Sequence, residues 1–274
     1  MKATKTVLSS VDEALLHLSV NGFCILEEVI PGGEVDDVRR SIEATVASAG
    51  RTTLVQGAKT RKGLIAYDQS IAAYLADKRI MDIAESVLGP QVRISMTTAA
   101  INYPGNERGA WHADWPFNQQ KAGHVPMPYP DAVMHLTTIW MLSPFTRENG
   151  GTLVIPGSHR AATNPTGDNG VDSTMPYPTE TQVTGDAGSV LIFDSRLWHS
   201  VAPNQSDHPR VGIPVRYAPW WLNLDVLMPG SDERARMIDE TGLDENEVAP
   251  ISPDVYARLP ESAKPLFQHW VRKQ

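Results

Sequence analysis

The sequence predicts a mainly β fold, an antiparallel barrel or sandwich with flanking helices, and three observations carry that reading. Proline and glycine reach 21 and 20 of 274 residues without any low-complexity tract, which favours many short elements joined by turns over a helical bundle. From residue 91, short runs rich in β-branched and aromatic residues alternate with Pro, Gly, Asn and Asp clusters. Helical apolar spacing belongs to the two ends. No repeat or linker interrupts the chain. It reads as a single domain over 1–274: helical support over about 1–90, a β core over about 91–220 and C-terminal helices over about 230–274.

In chain order, Ser10 followed by Val-Asp-Glu is an N-cap with acids in the first turn, where they oppose the helix dipole. Val11, Leu15 and Leu18 share one face of that helix, which stops at Asn21-Gly22. A strand follows at Phe23 to Leu26. Pro31-Gly32-Gly33 breaks the chain before a helix carrying Val35, Val38, Ile42 and Val46, and a third helix fits Ile80 to Leu88 with Gly89-Pro90 as its stop. The β core then reads as Val92 to Tyr103, Val133 to Leu142, Thr152 to Ile155, Ser189 to Phe193 and Val211 to Tyr217. Phe117 to Pro130 and Ala161 to Gly185 are long loops, expected to act as lids. Ser231 to Glu247 reads as a solvated helix. Ser252-Pro253-Asp254 caps another, with Pro at its first position, and Ala263 to Lys273 is a last helical run.

Composition excludes several classes. The single cysteine, Cys24, cannot make an internal disulfide, and in its apolar setting it reads as a small buried hydrophobe. A net charge of −8 with no Lys/Arg-rich run argues against nucleic-acid binding. No stretch is long and apolar enough to span a bilayer, and the N-terminus lacks the apolar region of a signal peptide. A cytoplasmic location with no membrane partner is the default expectation. Oligomeric state is not readable.

The chemistry lies in histidines and one carboxylate. His112 is the one histidine of eight with a carboxylate two residues on, in His112-Ala113-Asp114. In extended backbone, i and i+2 project to the same face, so the two side chains can converge on one ion. His199 closes the strand-like run from Ser189. Two His and one carboxylate on one face of a metal leave the opposite positions open, as in non-haem Fe(II) oxygenases. A chance His-x-Asp is common, so the triplet alone decides nothing. Arg210 adds a second requirement: if it sits on the strand after the Ala202-Pro203-Asn204 turn, a buried guanidinium there needs a carboxylate partner. A surface salt bridge is its ordinary alternative.

Three blocks in order, INYPGNERGAWHADWP (Ile101 to Pro116), ENGGTLVIPGSHR (Glu148 to Arg160) and GSVLIFDSRLWHSVAPNQSDHPR (Gly188 to Arg210), resemble the phytanoyl-CoA dioxygenase-like Fe(II)/2-oxoglutarate oxygenases. The resemblance implies a double-stranded β-helix, or jelly roll, with helices against one face. It implies His112, Asp114 and His199 as iron ligands and Arg210 as partner of the distal carboxylate of 2-oxoglutarate. Thr152, Asn102 and Trp140 match positions that contact or line the co-substrate pocket in some members. Fe(II), 2-oxoglutarate and O2 are the implied cofactors, and hydroxylation of an unactivated C–H of a small molecule, with release of succinate and CO2, is the implied reaction. Halogenating relatives replace the carboxylate by Ala or Gly, so Asp114 favours the hydroxylase outcome. One departure concerns the 1-carboxylate of 2-oxoglutarate. Many members carry Gln shortly before the first ligand, where this chain has Arg108, Gly109 and Ala110.

Other candidates are weighed residue by residue. Trp115, Phe117, Asn118, Arg216 and Trp220 are candidates for the substrate pocket, Arg216 as an anion anchor; edge packing is their ordinary alternative. Adjacent Trp220 and Trp221 cannot both face a strand's interior, so at least one is left for a mouth or a partner surface. His159 reads as a structural tie, His135 as a satisfied core histidine, and His124 and His208 as exposed loop residues. Two further functional classes stay open. One is a jelly-roll protein that binds metal and 2-oxoglutarate as a sensor without oxidation. The other is a cupin-like metal isomerase or hydrolase, which has no need of Arg210.

Overall fold

Short β-rich runs pair into two antiparallel sheets, and the apolar faces of the helices cover one side of the larger. The structure is a computed structural model that describes residues 8, 10–49, 53–55, 57–116, 127–165, 170–242, 244 and 246–271. The strands are β1 (Phe23–Leu26), β2 (Thr53–Val55), β3 (Ala58–Lys62), β4 (Arg93–Asn102), β5 (Leu136–Met141), β6 (Leu153–Val154), β7 (Thr181–Gln182), β8 (Val190–Asp194), β9 (His199–Ser200) and β10 (Arg210–Ala218). Seven form the major sheet, in the order β1-β8-β5-β10-β4-β3-β2, and three form the minor sheet, in the order β7-β6-β9.

The first ninety residues are less helical than their pattern predicts. They supply β1, which pairs with β8, and the β2–β3 hairpin, which extends the sheet past β4. A hairpin this short shows too little alternation to stand out in sequence. The helices α1 (Val11–Asn21), α2 (Gly32–Ala47) and α3 (Lys78–Leu88) lie close to where their capping signals put them. Ser10 Oγ accepts the Glu13 N–H at 3.2 Å, and Gly22 ends α1 at φ 85°. Gly32 and Gly33 belong to the first turn of α2 rather than to a break before it.

At the other end, α4 (Asp232–Thr241) is only half solvated. Arg234, Met237 and Thr241 are buried, and Arg234 ion-pairs with Asp244. The cap at Ser252 starts α5 (Pro253–Arg258) as expected, its Oγ accepting the Val255 N–H at 3.2 Å. The run from Ala263 differs from expectation: α6 (Lys264–Phe267) gives way to a tight turn over Gln268–Trp270, where Trp270 Nε1 donates to the Ile94 carbonyl at 2.7 Å. Burying that indole takes precedence over continuing the helix.

The core explains why strand alternation is hard to read. On β5, Leu136 and Trp140 join the large apolar cluster that includes residues of α1 to α3. Ile139 and Met141 join a second cluster with Phe145, Leu191 and Phe193 on the other face. A strand buried on both faces reads as a continuous apolar run. The opposite face of the major sheet meets the minor sheet, and the polar groups considered below sit there. Among the described residues no helix is long and apolar enough to cross a membrane.

Candidate metal centre

Backbone pairing brings the first two histidines together. His112 and His199 form an isolated antiparallel bridge, each N–H donating to the other's carbonyl at 3.0 and 2.9 Å. Asp114, two residues on, is anchored by its N–H to the Ser195 carbonyl at 2.6 Å. One ligand atom from each of His112, Asp114 and His199 lies within 4.8 Å of the others, and the imidazole rings are 4.1 Å apart. His199 also packs against Phe193 of β8, ring centroids 4.8 Å apart, so the cluster lies between the two sheets.

The surroundings set the tautomers. Nδ1 of His112 faces the Ala110 carbonyl at 3.2 Å, and Nδ1 of His199 the Leu197 carbonyl at 2.9 Å. A carbonyl accepts only, so Nδ1 donates in each ring, which turns both Nε2 atoms towards Asp114 as the atoms a metal would use. Burial, with His199 beside it, pushes His112 down to about 3, so it is neutral at physiological pH. Burial would raise Asp114, but the Arg216 guanidinium overrides it and holds the carboxyl well below the usual carboxylate range. Arg216 donates to Oδ1 at 2.5 Å and Thr137 Oγ1 to Oδ2 at 2.9 Å. Two imidazoles and one carboxylate with ligand atoms within 4.8 Å of one another fit a divalent non-haem iron.

Arg210 opens β10 beside Asn102 of β4, its register partner. Its guanidinium is 4.4 Å from the centroid of the Phe145 ring and is buried, and burial pushes it down to about 10, which leaves it charged. Among the described residues it has no carboxylate partner, and its Nε has no hydrogen-bond acceptor. A buried, unpaired guanidinium fits a dicarboxylate co-substrate.

The remaining expected residues separate. Asn102 is buried, its Nδ2 donating to the Ala202 carbonyl at 3.2 Å, while its Oδ1 has no partner among the described residues. The Asn149–Thr152 turn abuts it: a Cβ on Gly150, at φ 81°, would fall 2.9 Å from Asn102 Nδ2. Thr152 is buried, and its carbonyl accepts the Val183 N–H at 2.8 Å. Trp140 does not line this site. Its register partners Val190 and Ile213 join it in the helix-side cluster, and Thr137, three residues earlier, takes the opposite face to reach Asp114.

Arg216 is no free anion anchor, because Asp114 has taken its charge. Trp115 is buried with its ring edge-on to Tyr129 at 6.2 Å. Trp220 and Trp221 are both half exposed. Phe117, Asn118 and His124 lie outside the described residues. His159 is buried against α1, its Nε2 3.3 Å from the Ser19 carbonyl, and His135 is buried with Nε2 2.7 Å from Ser95 Oγ. His208 is exposed, and Cys24 is buried, its thiol pushed up to about 12 by desolvation.

Sequence reasoning missed Thr137, Ser195 and Asn204. Thr137 Oγ1 lies 2.7 Å from Ser195 Oγ, behind Asp114. Asn204 Nδ2 bonds the carbonyls of Asn102 and His208 at 3.0 and 2.8 Å, while its Oδ1 accepts from Ser206, fixing the turn that leads into Arg210. Short polar residues carry no periodic signal. Only the turn-forming Ala-Pro-Asn sequence pointed to Asn204.

Comparison with known proteins gives a consistent picture. The family model described as Phytanoyl-CoA dioxygenase matches residues 18–212. Among curated proteins, the chain is 30% identical to "Dioxygenase af480" of Aspergillus fumigatus over 72% of this chain and 63% of that protein, so it spans under two thirds of that relative's length. It is 30% identical to "Ectoine dioxygenase" of Nocardia farcinica over 73% of this chain and 75% of that one. Among solved structures, EctD from S. alaskensis with 2-oxoglutarate and 5-hydroxyectoine matches with a TM-score of 0.61 and 23% identity, covering 80% of this chain and 79% of that one, which shows a shared fold.

Proposed function

The chain belongs to the phytanoyl-CoA dioxygenase family of iron- and 2-oxoglutarate-dependent oxygenases, and on that premise we propose that it hydroxylates an unactivated C–H of a small organic molecule, with succinate and CO2 as co-products. The two facing sheets are then a double-stranded β-helix with the reaction between them. One observation carries the reading: three metal-type ligand atoms within 4.8 Å share a fold with a buried guanidinium that has no acid partner among the described residues.

His112 and His199 would hold iron(II) through Nε2 and Asp114 through one carboxylate oxygen, while Arg210 would take the distal carboxylate of 2-oxoglutarate. Bound iron and 2-oxoglutarate supply the oxidising power drawn from O2. The chain's part is geometric and electrostatic. The Ala110 and Leu197 carbonyls keep both imidazoles in the ligating tautomer. Phe193 packs against His199 and Phe145 against Arg210, giving the site apolar walls. The presence of Asp114, where Ala or Gly would leave a position for halide, supports hydroxylation over halogenation.

The test is succinate formation by purified protein with iron(II), ascorbate and 2-oxoglutarate, alone and with a panel of small apolar and zwitterionic molecules. A slow basal rate that rises with a substrate is the expected outcome. Binding of iron and 2-oxoglutarate with no succinate under any condition would leave a sensor and reject the oxygenase.

A further inference from the structure

We propose that Arg216 is a positioning residue that, together with Thr137, fixes Asp114 as a ligand through one oxygen only; this rests on the metal-site reading above. An aspartate carboxylate turns about a broad sp³–sp² torsion, so packing alone leaves its two oxygens poorly fixed. Here each oxygen has its own donor. Arg216 Nη2 holds Oδ1 at 2.5 Å and Thr137 Oγ1 holds Oδ2 at 2.9 Å. Oδ2 is also the oxygen facing His199 Nε2, at 3.7 Å. A carboxylate oxygen has two lone-pair directions. Thr137 fills one on Oδ2, and the other faces the histidine cluster. Oδ1 is committed to the arginine.

The donors are themselves held. Thr137 Oγ1 lies 2.7 Å from Ser195 Oγ, so with its proton on Asp114 it accepts from Ser195. The Ser195 carbonyl takes the backbone N–H of Asp114 and of Trp115 at 2.6 and 3.1 Å. The Arg216 carbonyl accepts from Ser95 Oγ at 3.3 Å, and Ser95 contacts His135 at 2.7 Å. Arg216 also stands at the irregularity in β10, where the register to β4 shifts between residues 216 and 217. β-Bulges re-aim side chains beside functional sites. Clamping one oxygen keeps the carboxylate from chelating through both, so the metal face opposite the three ligands stays free for co-substrate and O2.

The sign of one measurement separates this from a bare charge effect. A guanidinium beside a cation site repels the cation, so if Arg216 acted only by charge, removing it would tighten metal binding. Positioning predicts the reverse. Mn(II) affinity, read by loss of the free-ion EPR signal, is expected to fall about 10-fold or more in Arg216→Met, as for lost outer-shell partners. Arg216→Lys, which keeps a cationic donor, should recover most of it. Thr137→Val should weaken binding less, and its effect should not add to that of Arg216→Met because both act on one carboxylate. In an Asp114→Ala background, measured with 2-oxoglutarate present, Arg216→Met should change nothing further.

Unchanged or tighter Mn(II) binding in Arg216→Met would overturn the proposal, as would an equal loss in the Asp114→Ala background. Should Arg216→Met fail to fold, Thr137→Val and Arg216→Lys decide: wild-type affinity in Thr137→Val overturns it. If the unaltered protein binds no Mn(II), the metal-site reading itself fails. Binding by that protein with no change in the variants rejects the clamp alone.

Discussion

The guanidinium of Arg210 lies 4.4 Å from the centroid of the Phe145 ring, buried and without an acid among the described residues. Cation–π contact offsets part of the cost of burying that charge, and the remainder waits for an anion. Asn102 stands beside it in register, and Asn204 pins the turn between His199 and Arg210 through the Asn102 carbonyl. The proposed metal ligand His199 and the proposed co-substrate anchor Arg210 therefore flank one turn fixed by Asn204.

Arg210→Met should weaken 2-oxoglutarate binding by about 2–3 kcal/mol, roughly 30- to 150-fold, the cost of losing hydrogen bonds from a charged donor. Without 2-oxoglutarate the variant should melt no lower than the unaltered protein, because Arg210 has no ion pair among the described residues to lose. Thermal melts with and without the co-substrate check both halves. A variant that 2-oxoglutarate still stabilises as strongly would contradict the assignment of Arg210.

Gly151→Ala should destabilise the fold by about 1–3 kcal/mol or more, as overpacking does. The added methyl would lie 2.2 Å from the Val183 carbonyl oxygen, which is backbone and cannot turn aside. Gly157→Ala meets no atom within 4 Å, though its φ of 82° disfavours a side chain, and should cost less. Urea unfolding of the two variants gives the comparison, and equal losses would contradict the steric account.

Stability of the metal-free protein should fall as pH drops from about 6.5 towards 3. Burial pushes His135 down to about 3, so below its ordinary value the unfolded chain takes up a proton that the fold refuses. That contribution is complete above pH 6.5 and is lost on acidification, at up to about 1.4 kcal/mol per pH unit for one histidine. His135→Gln should flatten the slope in urea unfolding across that window. An unchanged slope would show that His135 is not kept neutral by the fold.

Most of the candidate metal site was legible in sequence because its residues are rare types at fixed spacing. His112-Ala113-Asp114 needs only extended backbone to converge, and His199 and Arg210 flank one turn. The ranges of α1, β1 and α3 followed from Ser10, Asn21-Gly22 and Gly89-Pro90, whose conformational preferences are local. What failed was directional. Trp140 and Thr137 lie three residues apart on a strand buried on both faces, so composition could not tell which one looks towards Asp114. The partner of Arg216 was hidden for a similar reason: Asp114 is 102 residues away in sequence, and only the sheet register brings the two together.

The most direct test of the central claim is anaerobic titration of iron(II)-loaded protein with 2-oxoglutarate, followed by the visible charge-transfer absorption of iron chelated by a 2-oxo acid. A saturable band at one iron per chain is expected. It should be lost in His112→Ala and His199→Ala and shifted to much higher 2-oxoglutarate concentration in Arg210→Met. No band in the folded, unaltered protein, or an undiminished band in both histidine variants, would contradict that claim.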